Sequence, residues 1–67
     1  MYEVIVRVRF FGVEADETLP TCSHDVATKR LNYFLKKWYV VEVRVSNLLS
    51  NVSQTWNGLH HKRIFQF

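Results

Sequence analysis

The soft or borderline metal ligands of this 67-residue chain are Cys22, His24, His60 and His61. Cys22-x-His24 and His60-His61 together have the donor types of a four-coordinate zinc site. Their spacing argues against it. Adjacent residues on a strand point to opposite faces, so His60 and His61 do not readily share an ion. No Cys-x-x-Cys or His-x-x-x-His pair is present either. As a nucleophile, Cys22 would gain from a position just before a helix N-terminus, with His24 as a base. No third group that would orient such a pair is evident, and a chain this short leaves little room for a substrate cleft. The expectation is a non-enzymatic chain with no catalytic, cofactor-binding or metal-ligating residues.

Charge is the stronger signal. Residues 1–25 carry −3, with Arg7 and Arg9 against Glu3, Glu14, Asp16, Glu17 and Asp25. Residues 26–67 carry +6, with Lys29, Arg30, Lys36, Lys37, Arg44, Lys62 and Arg63 against Glu42. That asymmetry points to an anionic partner, whether nucleic acid or the acidic patch of a protein, or else to a solvated basic face. Hydrophobic content of 48% with 22% charged residues places the chain among folded proteins rather than disordered ones. Its length makes one domain, 1–67, with a thin core. A single cysteine, Cys22, excludes an internal disulfide and suits a reducing, cytoplasmic compartment. "MYEVIVRVRF" alternates and is charged, unlike a leader or a membrane span, and "WYVV" is too short to cross a bilayer. No membrane partner is expected.

The elements that must position these charges can be read from periodicity. "YEVIVRVRF" alternates as a strand, with Tyr2, Val4, Val6, Val8 and Phe10 buried and Glu3, Ile5, Arg7, Arg9 and Phe11 on the other face. Gly12 breaks it, and "VEADETLP" reads as a short acidic edge strand ending at Pro20. Ser23 is a suitable N-cap, Asp25 suits the first helical turn, and Lys36 and Lys37 suit the last. Ala27, Leu31, Phe34, Leu35 and Trp38 form one helical stripe, opposite Lys29, Asn32, Tyr33 and Lys36. "YVVEVRVS" reads as a strand that buries Tyr39, Val41, Val43 and Val45 and shows Val40, Glu42 and Arg44. Leu48, Val52 and Trp56 would fit a short helix, but Asn57-Gly58 is a strong two-residue hairpin signal. It would pair Trp56 with Leu59, Gln54 with His61 and Val52 with Arg63, putting Phe65 and Phe67 on the core side. The expected fold is α+β: a small antiparallel sheet, β-β-α-β plus C-terminal hairpin strands, with one helix packed on one face.

On that frame the open sheet face shows Arg7, Arg9 and Arg44 with Ile5, Phe11 and Val40, and Trp38 or Tyr39 near its margin. The helix shows Lys29, Tyr33, Lys36 and Lys37, and the last strand adds Lys62. Aromatics among arginines have the composition of protein-binding hot spots. The acidic strand and the C-terminal strand could each add to a partner's sheet. The same cations could follow phosphates while aromatics stack on bases. "RVRFFGV" does not match the ribonucleoprotein signature, and no helix-turn-helix or zinc-finger spacing occurs.

The strand-strand-helix-strand order, with the helix-start signal "LPTCSHDVA", resembles small phage proteins that bind and inhibit host enzymes, among them an inhibitor of host RNA polymerase. The resemblance is topological, covers residues 2–46 and assigns no site residue. It implies an inhibitor or regulator. From the charge asymmetry and the open face, the expected partner is a larger protein with an acidic patch, or a second copy in a homodimer. The alternative is a basic, sequence-tolerant nucleic-acid binder.

Overall fold

The computed structural model describes residues 1–57. Four strands and one helix follow in the order β1 (Tyr2–Phe10), β2 (Val13–Thr18), α1 (His24–Leu35), β3 (Val40–Asn47) and β4 (Val52–Asn57). The strands form one sheet in the order β2-β1-β3-β4, with every neighbouring pair antiparallel. This is the α+β arrangement that the alternating patterns imply. β2 and β3 flank β1 and run parallel to each other, so the chain must cross the sheet between them. The helix makes that crossing.

β1 is held along both edges. Its alternation buries Val4 and Val6 and leaves Arg7 and Arg9 on the opposite face. The β1–β2 connection is a two-residue turn, Phe11-Gly12, with Phe10 opposite Val13. Both turn residues have positive φ, 51° and 80°, as a type I′ hairpin requires. Gly12 meets this without strain, and nothing lies within 4 Å of a Cβ built there, so its role is conformational. Phe11 has no such freedom; a left-handed conformation costs an ordinary L-residue roughly 1–2 kcal/mol. After β2 the chain continues along the start of β1. Leu19 N–H donates to Val4 O at 2.9 Å, and Tyr2 and Cys22 exchange backbone bonds of 2.8 and 2.9 Å.

The helix starts as its sequence predicts. Ser23 is the N-cap, and its hydroxyl oxygen accepts from Val26 N–H at 3.4 Å, with Asp25 in the first turn. Ala27, Leu31 and Leu35 are buried against Val4, Val6, Val43 and Val45. Leu31, fully buried, contributes about 1.5–3 kcal/mol by transfer from water. The helix end differs from expectation. Leu35 is its last residue and Lys36 is the C-cap, so Lys36 and Lys37 follow the last turn. Trp38 leaves the stripe and is 83% exposed. The cause is the entry into β3: Lys37 N–H donates to Phe34 O, Val40 N–H to Lys37 O, and Arg9 N–H to Tyr39 O. The chain must turn over 36–39 to make that last bond.

β3 departs from simple alternation. Arg7 faces Glu42 but Val8 faces Val40, so Val41 is an extra residue, a β-bulge. Val40, Val43 and Val45 are the buried residues as a result. This corrects the expectation that Val40 lies on the open face and Val41 in the core. Tyr39 packs on the core's margin.

Residues 48–51 form a turn and not a helix. Asn47 Oδ1 accepts from Leu49 N–H at 3.1 Å, and Asn51 takes a positive φ of 58°. Both are habits of asparagine in turns. β4 therefore pairs with β3, placing Trp56 beside Val43 and burying it. The Asn57-Gly58 hairpin and its pairing with residues 59–63 lie outside the described residues.

Candidate functional site

The open sheet face brings Arg7, Arg9 and Arg44 together but does not leave all of them unpaired. A two-residue turn fixes the register so that Arg9 faces Glu14 and Arg7 faces Asp16. Arg7 Nε–H donates to Asp16 Oδ1 at 2.9 Å, and Arg9 Nε–H to Glu14 Oε2 at 3.0 Å. A second Arg9 nitrogen, Nη2, also pairs with Glu14. The bond from Arg7 lowers the Asp16 carboxyl from its ordinary pKa, assisted by the nearby positive charges of Arg7 and Arg44. The Arg7 guanidinium is held protonated more firmly by the same bond, by Asp16's charge and by Glu42 across the strand. By register this face holds Arg7, Arg9 and Arg44 against Glu3, Glu14, Asp16 and Glu42. It is a ladder of alternating charge, not a phosphate track. Ile5, between Thr18 and Arg44, is half-buried in it.

The pairing could have been read from the sequence. Counting outward from Phe11-Gly12 sets Phe10 opposite Val13, then Arg9 opposite Glu14, then Arg7 opposite Asp16. The missing signal was the turn itself, because phenylalanine is a poor residue for positive φ.

A different surface forms where the helix ends beside the β1–β2 turn. Phe10 stacks on Tyr39 with ring centroids 5.1 Å apart and an interplanar angle of 22°. Trp38 stands edge-on to both, at 5.8 Å from Phe10 and 5.7 Å from Tyr39. Phe11 is not on the open sheet face, as its parity suggested, but in the turn beside this cluster, fully exposed at 103%. Val13, also exposed, follows the turn. On the helix, Lys37 Nζ lies 4.4 Å from the centre of the Tyr33 ring, a cation–π contact. Tyr33 is itself edge-on to Phe34 at 5.0 Å. Lys29, Tyr33 and Lys36 are all exposed. Arg30, in contrast, donates to Pro20 O at 2.7 Å and so ties the helix to the preceding loop. Among the described residues the ion pairs are those of Arg7 and Arg9, so the lysines at the helix end keep their charge uncompensated.

The sequence-predicted residues thus fall into two groups. Arg7, Arg9 and Arg44 share the open sheet face. Phe11, Tyr33, Lys36 and Lys37 share the end of the molecule that carries the aromatic cluster, and Lys29 lies on the helix leading to it. Lys62 lies outside the described residues. Phe10 was missed because alternation assigned it to the core.

Cys22 is half-buried in its backbone bridge to Tyr2, and the His24 ring lies edge-on to Tyr2 at 5.3 Å. Among the described residues, no group of three or more His, Cys, Asp or Glu side chains is placed to hold a metal ion. Nor is any helix among them long and apolar enough to cross a membrane. His60 and His61 lie outside the described residues. Compared with known protein families, curated proteins and solved structures, the chain matches none.

Proposed function

We propose that this chain is a non-enzymatic binding module that docks on a larger cytoplasmic protein bearing an acidic patch, and so inhibits or regulates it. One observation carries the reading: exposed Phe11 and Trp38 adjoin the Phe10–Tyr39 stack at the same end as Lys36 and Lys37. Large rings left in water next to cations have the composition of a hot spot with a charged rim. The ladder on the open sheet face supports the same choice over nucleic acid. By register this face sets Arg7, Arg9 and Arg44 against Glu3, Glu14, Asp16 and Glu42, so it offers phosphates no net positive charge. The cations that remain, on the helix and at its end, could still serve a sequence-tolerant nucleic-acid binder, the second reading.

The test is affinity capture from the native host with and without nuclease, with captured proteins identified by mass spectrometry. The reading expects one defined protein that survives nuclease and is lost when Lys36 and Lys37 are changed to Glu. Capture that disappears with nuclease, or binding that falls steeply with salt in proportion to phosphates neutralised, selects nucleic acid instead.

A further inference from the structure

Phe11 combines two features that folding alone does not favour. Its φ of 51° lies in the left-handed region that glycine and asparagine occupy far more readily than phenylalanine. Its ring is fully exposed among the described residues, so none of them returns burial for that strain. A turn selected for stability alone would place Asn or Gly at this position, as type I′ hairpins usually do. Strained residues that the fold does not need collect at ligand and partner sites. From this, resting on the docking reading above, we infer that Phe11 is the anchor of the docking surface, packing against large apolar side chains flanked by carboxylates on the partner protein.

Charge complementarity specifies the rim. Lys36 and Lys37 directly precede Trp38 of the ring cluster in the chain, and among the described residues no carboxylate pairs with them. Residues 58–67 contain no Asp or Glu. A partner surface that offers Asp or Glu beside apolar side chains complements these cations. A second copy is a poor source, because a two-fold contact sets this same cationic end against itself. Trp38, edge-on to the Phe10–Tyr39 stack, gives the partner an apolar surface to close on, which excludes water around an anchor.

The experiment uses the full chain, a random peptide display library and an oligothymidine as probes, with the variants Phe11→Asn, Phe11→Gly and Phe11→Tyr. The expected selection enriches peptides that combine Asp or Glu with large apolar residues. Phe11→Asn weakens their binding on the order of thirtyfold, the loss typical of a hot-spot residue, while Phe11→Tyr keeps it. In the same samples, Phe11→Asn raises the folding equilibrium constant by roughly fivefold to thirtyfold, as turn strain is relieved. Acidic peptides that bind Phe11→Asn as tightly as the parent overturn the anchor and leave the docking reading standing. A loss of stability in both Phe11→Asn and Phe11→Gly shows that the ring supports the fold and also overturns the anchor. Selection of no acidic sequence, or oligothymidine binding lost with Lys36→Glu and Lys37→Glu, overturns the docking reading and the anchor with it.

Discussion

Arg7 Nε–H donates to Asp16 Oδ1 at 2.9 Å across the β1–β2 pair, on the sheet face that the helix leaves open. This contact converts a row of arginines into a self-neutralising ladder. It also fixes register, because a one-residue slip would carry Asp16 to the other face of the sheet.

The pH dependence of stability follows from that bond. Asp16's carboxyl is held below its ordinary value near 3.8, chiefly by the hydrogen bond from Arg7. A folded-state pKa below the unfolded one gives stabilisation that is fully present above the unfolded value and lost as pH falls through the folded one. Denaturant midpoints should therefore fall as the solution is acidified below about pH 4. Asp16→Asn should make part of that fall disappear. Both groups face solvent, so the effect should be small and should shrink further in high salt. An acid limb identical in the parent and in Asp16→Asn would show that the pair contributes nothing in solution.

The bulge makes a sharper prediction about packing. Val40 is 5% exposed and belongs to the core, whereas Val41 is the extra residue opposite the Arg7–Val8 step. Val40→Ala should cost about 1–3 kcal/mol through the cavity and the lost transfer energy, and Val41→Ala distinctly less. Strict alternation predicts the reverse order. Urea unfolding of the two variants, with unchanged m-values, decides between them.

At the start of the helix, Ser23→Ala removes the oxygen that accepts from Val26 N–H. The bond is long, 3.4 Å, so the loss should lie at the lower end of the cap range, about 0.5–1 kcal/mol. Ser23→Asp should restore or exceed parental stability, because a carboxylate there both caps and meets the helix dipole. A Ser23→Ala midpoint equal to the parent's would mean that water caps the helix equally well.

What was legible in the sequence was local. Ser23, Asp25 and the Ala27–Leu31–Leu35 spacing specify a helix start and a buried face within one element. The Val4–Val6 alternation does the same for a strand. What was not legible depends on neighbours. The bulge brings Val40 to the buried side with Val43 and Val45, which strict alternation would not do. Trp38 follows the helical period by number, yet Arg9's bond to Tyr39 O pulls the chain out of the helix before it. In the 48–51 turn, asparagines flank the loop on both sides, but Asn57-Gly58 offered the more familiar signal. Among site residues, the cations were visible from composition. Their partners, Glu14 and Asp16, needed a register set by Phe11, a residue whose own propensity argues against the turn it makes.

The two tryptophans report the two ends of this logic. Trp56 is 7% exposed beside Val43 in the core, whereas Trp38 is 83% exposed between the helix and β3. With Trp38→Phe, the remaining indole should emit at short wavelength and resist iodide. With Trp56→Phe, emission should shift to the red, and iodide should quench it strongly because the anion gathers near Lys36 and Lys37. Stability should separate in the opposite sense. Trp38→Ala should change it by no more than about 0.5 kcal/mol, as a surface substitution does, while Trp56→Ala should cost about 3–5 kcal/mol. A Trp38→Ala variant that lost several kcal/mol would make its ring part of the core. The aromatic end would then be a structural closure rather than a surface kept open for a partner.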